Sequence, residues 1–146
     1  MGSNPLVLSV LVPVLIWAMW TDLMRREIPN GASIAAAAAI VAGAFLTGSI
    51  GQIAWESALL ILIVGFILSA FMGVIGAGDV KLLAALSLGF PGATLEFLLY
   101  TAWAGGILAV LVLIWNFLSK RESTGLPYGI AIGSAAFVMF FNQLPT

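Results

Sequence analysis

The chain has no cysteine and no histidine, and charged residues make up only 8% of its 146 positions. Each absence removes a class of chemistry. Without cysteine there is no disulfide, no thiolate metal site and no cysteine nucleophile. Without histidine the commonest metal ligand is missing, and so are the serine–histidine and cysteine–histidine triads. A net charge of −1 leaves no basic footprint for nucleic acid. A soluble domain carries about 25% charged residues, so a chain that is 62% hydrophobic and so sparsely charged is not built for water. What remains for chemistry is carboxylates, amides, hydroxyls and backbone.

Apolar stretches long enough to cross a bilayer as helix need roughly 17 to 25 residues. Six segments are expected: Pro5 to about Thr21, Ala32 to about Thr47, about Ile53 to Val74, about Val80 to Phe90, about Thr94 to Leu118, and Pro127 to Leu144. The fourth is short, so Gly89 to Gly92 are expected to lie within the membrane as well. Basic residues test the count. Arg25 and Arg26 follow the first segment, Lys81 sits at the junction of the third and fourth, and Lys120 and Arg121 separate the fifth from the sixth. Six spans place all five on one side, which the positive-inside rule makes cytoplasmic, with both termini outside. The first segment reads as a retained span, because its Arg pair follows the apolar run, whereas a secretory signal has its charge in front. The expected fold is all-α, a polytopic membrane protein of about six transmembrane helices forming one integral-membrane domain over residues 1–146.

The same count brings the only two aspartates, Asp22 and Asp79, to one side of the membrane. Asp79 before "VKLLAAL" could simply cap a helix, and Asp22 could be a solvated neighbour of Arg25 and Arg26. Ionisable groups within or at the ends of spans are costly, however, and are functional candidates by default. Gly76 and Gly78, which precede Asp79, exceed what a cap requires; glycine permits positive φ and close backbone approach. Two close carboxyls share a proton, since they cannot both ionise cheaply. One then takes a proton from water while the other polarises a carbonyl, which is peptide hydrolysis without metal, cysteine or histidine.

Three stretches carry a resemblance. "GAGDVK", residues 76–81, resembles the G-x-G-D-x-K element of prepilin peptidases, membrane aspartyl proteases of the type IV leader peptidase family. "WTDLMRREIPN", residues 20–30, is similar to that family's first-aspartate motif, and "LPYGIAIG", residues 126–133, to the Pro-Tyr-Gly element opening its last span. The resemblance implies that Asp22 and Asp79 are the catalytic pair and that Gly76 and Gly78 shape the loop carrying the second. Pro29 and Asn30 would then start the second span, with Asn30 as a cap. Lys81 matches the family's lysine; it would tune Asp79 toward ionisation or merely snorkel to the interface. Gly125, Gly129 and Gly133, four apart, suit close helix packing.

Bifunctional members of the family carry a cytoplasmic insertion with paired CxxC motifs and methylate the new pilin terminus. This sequence has neither insertion nor cysteine, and resembles the short peptidases of tight-adherence (Flp-type) pilus systems. The resemblance implies cleavage of a Flp-like prepilin leader at the cytoplasmic face of the bacterial inner membrane, without N-methyltransferase activity. No cofactor or metal is expected; the partners implied are the prepilin and the lipid bilayer, with no nucleic acid. Substrate-binding residues are not identified, and a homo-oligomer is left open. Two alternatives from other classes stand: a proton-coupled transporter or channel using the aspartates as a relay, and a non-catalytic assembly subunit.

Overall fold

The structure is a computed structural model that describes residues 5–72, 76–119 and 126–142. Among these residues it is entirely helical: α1 (Pro5–Arg25), α2 (Asn30–Leu46), α3 (Trp55–Met72), α4 (Ala77–Ser87), α5 (Thr94–Ser119) and α6 (Tyr128–Asn142), with one 3₁₀ turn at Ile50–Gln52. Lys120, Arg121 and Gly125, and the ends of the third and sixth expected spans at Val74 and Leu144, lie outside the described residues. Val7–Arg25 and Thr94–Ser119 are long and apolar enough to cross a membrane, while α2, α3 and α6 are shorter apolar helices. The expectation of an all-α membrane protein holds.

Each helix is placed by a stripe of buried residues at helical spacing. On α1 the stripe is Val7, Leu11, Leu15 and Ala18, and it ends at Asp22. On α2 it is Ala32, Ala36, Ile40 and Ala44, a run of small residues at four-residue spacing. Without a hydrophobic drive between helices in lipid, small residues matter because they let backbones approach and gain dispersion contact. Gly43 of α2 meets Val7 of α1 at such a point. The inward stripe of α4 is Leu82 and Leu86, and that of α6 runs through Ile132, Ala136 and Phe140.

The short helix α4 is the centre of the bundle, packed against α2, α3 and α6, while α1 lies between α2 and α6. Its 11 residues span about 16 Å at 1.5 Å per residue. It ends in a turn whose Phe90 is fully buried, with ring centroids 4.5 Å from Phe140 and 4.9 Å from Phe97. The 89–92 turn therefore sits partly inside the bundle: Gly89 closes on the Phe140 ring, Phe90 is buried, and Pro91 and Gly92 are exposed. Long α5 leans on α6, where Gly105 leaves room for the Tyr128 ring, and otherwise presents side chains such as Trp103 and Phe117 outward. In water that face would drive aggregation; in lipid it is the solvated face.

Boundaries differ from the sequence expectation in one consequential place. Helix α1 continues past Thr21 to Arg25, so Asp22 lies inside its last turn on the buried face instead of closing the helix. The reason is a left-handed stop at Arg26 (φ 55°), whose N–H bonds the Asp22 carbonyl at 2.9 Å.

The α1–α2 contact supplies a stability test. Gly43→Leu forces a side chain into Val7 and is expected to cost about 1–3 kcal/mol, read as a clear fall in melting temperature in detergent. Gly106→Leu, on α5 with nothing within 4 Å of its added Cβ, should melt like the parent. Equal melting of the two variants would contradict this packing.

Candidate active site

Three helix ends meet at one end of the bundle: the C-terminus of α1 and the N-termini of α4 and α6. Asp22 is on the buried stripe of α1 at 5% exposure. Asp79 occupies the third position of α4, on the same face as Leu82 and Leu86, and is half-buried. Both aspartates line one cavity of about 310 Å³ together with Arg26, Glu27, Ile28, Gly76, Ala77 and Gly78. The sequence placed the two carboxyls at one depth; the fold brings them to one cavity.

Each carboxyl is held by a backbone N–H from a helix start, where the first amides have no partner inside the helix. Oδ2 of Asp22 accepts from Gly129 N at 2.7 Å, a buried bond across 107 residues. A Cβ on Gly129 would lie 2.9 Å from that same oxygen, so only glycine lets the carboxyl come this close. Oδ2 of Asp79 accepts from Gly76 N at 3.2 Å. This is one half of a capping box; the other half is missing because glycine has no side-chain oxygen. The capping role considered for Asp79 is thus real, and it uses one of the two oxygens.

The two glycines before Asp79 serve close approach and not an unusual backbone. Gly76 has φ −67° and ψ 143°, ordinary extended values. A Cβ there would sit 2.9 Å from Asp79 Oδ2, and one on Gly78 would sit 3.2 Å from Ile28 Cβ and 3.3 Å from the Ile28 carbonyl oxygen. Gly78 therefore docks the start of α4 onto the loop that follows α1, tying the "GAGD" and "EIPN" stretches together. The left-handed residue here is Arg26, whose strain sits in the wall of the cavity.

Asp79 precedes the apolar part of α4, and its pKa is pushed up to about 6. Burial is the largest cause, repulsion from Asp22 adds to it, and the Gly76 N–H opposes it. A carboxyl raised in this way beside a second carboxyl is the pattern of a pair that holds one proton between two sites.

One expectation is corrected, that of Asn30 as a cap, and Lys81 is found beside it. Lys81 does not line the cavity: it lies on the opposite face of α4 from Asp79, two residues and about 200° around the helix, and its Nζ donates to Asn30 Oδ1 at 2.9 Å. Asn30 is not the cap of α2; Pro29 takes that position, in extended conformation, and Asn30 is the first helical residue. Gly129, read as a packing glycine, instead binds Asp22. Its signal was the Pro-Tyr-Gly helix start, which announces free amides but not what they face. Arg26, Glu27 and Ile28 were also missed as cavity residues. Among the described residues no group of three or more metal-binding side chains occurs.

The type IV leader peptidase family matches over residues 9–114, which includes both aspartates and stops short of α6. No curated protein and no solved structure matches the chain.

Gly129→Ala is expected to displace the Asp22 carboxyl and lower peptidase turnover about a hundredfold, with a lower melting temperature as well, because the same contact joins α1 to α6. Gly78→Val, blocked by Ile28 backbone, should be at least as severe. Gly133→Ala meets only the flexible Met19 side chain and should retain most activity. A Gly129→Ala enzyme as active as the Gly133→Ala enzyme would show that the Asp22 contact is irrelevant to turnover.

Proposed function

Because the chain belongs to the type IV leader peptidase family, we propose that it is a membrane aspartyl endopeptidase that removes the leader of a Flp-like type IV prepilin at the cytoplasmic face. The observation that carries this reading is the pair Asp22 and Asp79, from motifs far apart in sequence, lining one cavity at the bundle end. The relay alternative fits less well, since a transport site tends to lie near the membrane midplane and this cavity opens at helix termini. The orientation follows the basic residues: Arg25 and Arg26 are at the cavity end of α1, and Lys81 is near the cavity end of α4. The inner membrane is the compartment that this orientation and the family imply.

Asp22 is the member placed to carry the negative charge. Burial disfavours charge on either carboxyl, and Asp22 is the one that receives the shorter backbone N–H bond and has the Arg26 charge beside it. Asp79 then keeps the shared proton. In the hydrolysis, water loses a proton to Asp22 as its oxygen attacks the scissile carbonyl carbon, while the Asp79 proton polarises the carbonyl oxygen. Collapse of the tetrahedral intermediate breaks the C–N bond, and the proton held by Asp22 passes to the leaving amine. The bond must be presented in extended form, because a helix keeps its carbonyls in internal hydrogen bonds. Metal and cofactor have no part in this scheme, and methyl transfer is not proposed for so short a set of loops.

Asp22→Asn and Asp79→Asn are each expected to abolish cleavage of a prepilin in detergent while the protein folds and inserts normally. Lys81→Met should cost far less. Substantial turnover in either asparagine variant would remove that residue from the pair.

The charge assignment sets the pH dependence. Asp79 must be protonated to polarise the carbonyl, so kcat/KM is expected to fall about tenfold per pH unit as pH rises above about 6. A profile that stays level from about pH 5.5 to 8 would contradict Asp79 as the acid.

A further inference from the structure

The face of α4 turned away from the aspartates borders a second, larger cavity. It is a trough of about 510 Å³ between α2, α3 and α4, apolar along its length and polar at one end. The polar end holds Asn30, Ser33 and Lys81. Lys81 uses one of its three N–H donors on Asn30 Oδ1. Ser33 is only 6% exposed and its buried hydroxyl has no hydrogen-bond partner. A hydroxyl within a helix ordinarily bonds a carbonyl one turn back, as those of Thr21 and Thr47 do, and a buried one left alone is costly. Ser33 is three residues into α2 from Asn30, so it lies about 4.5 Å deeper along the helix.

We propose that this trough binds one anionic phospholipid, with its phosphate at Lys81 and Asn30 and one acyl chain lying against α4. The donors match the ligand at each depth. The lysine ammonium and the Asn30 amide face the phosphate level, and the Ser33 hydroxyl meets an ester carbonyl one step below. The trough then runs from Lys81 to Leu88 along α4 and from Asn30 to Ala37 along α2, seven residue steps on each, or about 10 Å. The lining of the trough ends at Leu88, whose carbonyl accepts from Ala54 N at 3.3 Å, tying the entry of α3 to the end of α4. A hydrocarbon core is about 30 Å thick, so a trough of this length lies within one leaflet. It suits an acyl chain and is too short for a transmembrane helix of a substrate, which must cross both leaflets.

The test begins with the intact chain in nanodiscs of equal parts phosphatidylglycerol and phosphatidylcholine, released and weighed by native mass spectrometry. One phosphatidylglycerol per chain is expected to be retained, favoured about fivefold over phosphatidylcholine. Lys81→Arg should keep that preference and Lys81→Met should abolish it, while Ala85→Trp, which fills the trough, should lose both lipids. Equal retention of the two lipids by the parent chain, or a preference that survives Lys81→Met, would overturn the proposal. Because the chain has no cysteine, a photoreactive label on Leu62→Cys reports the trough occupant directly, whatever the other variants do. A lipid adduct supports the assignment; an adduct with the apolar segment of an added prepilin in its place overturns it. Neither outcome depends on cleavage, so the peptidase reading stands or falls separately.

Discussion

A carboxyl group at 5% exposure inside an apolar bundle must find its hydrogen-bond donors within the protein, and Asp22 finds one on the first turn of α6. That bond joins the first helix to the last. It requires a helix start at Tyr128, a glycine at the second position and α1 extending to Arg25, so that Asp22 is on the buried stripe. An unpaired carboxyl at this place would oppose the packing of α1 on α6. The contact therefore constrains the bundle as well as the site.

The second aspartate is positioned by different means. Asp79 is held by its own helix start, and the helix start is docked by Gly78 on Ile28. The loop after α1 therefore positions both members, one through the left-handed stop at Arg26 and the other through the Ile28 backbone. Lipid as solvent explains why the pieces are so small. Alanines and glycines allow the close helix contacts that dispersion alone must supply, and Phe90, Phe97 and Phe140 gather where the short α4 ends.

The two faces of α4 divide the labour between chemistry and solvent. One face carries Asp79, Leu82 and Leu86; the other, toward the trough between α2 and α3, carries Lys81, Ala84, Ala85 and Leu88, the last three buried. A lysine two positions from an aspartate looks like a partner in the sequence. Helical geometry sends the two to opposite sides, which is why Lys81 belongs with Asn30 and the trough.

The sequence by itself determined the solvent, the helical class and nearly every helix, because hydropathy and charge asymmetry are local signals that lipid makes strong. It also determined that Asp22 and Asp79 share a depth, since span counting needs no tertiary information, and the "GAGD" and "EIPN" stretches pointed to the family that residues 9–114 match. What only the tertiary structure decided was direction around each helix and contact across long sequence separation. The extra turn of α1 that buries Asp22, the amide of Gly129 that holds it, and the reason for Gly78 all depend on which surfaces meet. A glycine's missing side chain records that something comes close without recording what, and the answers here, a carboxylate for Gly129 and a backbone carbonyl for Gly78, lie 107 and 50 residues away.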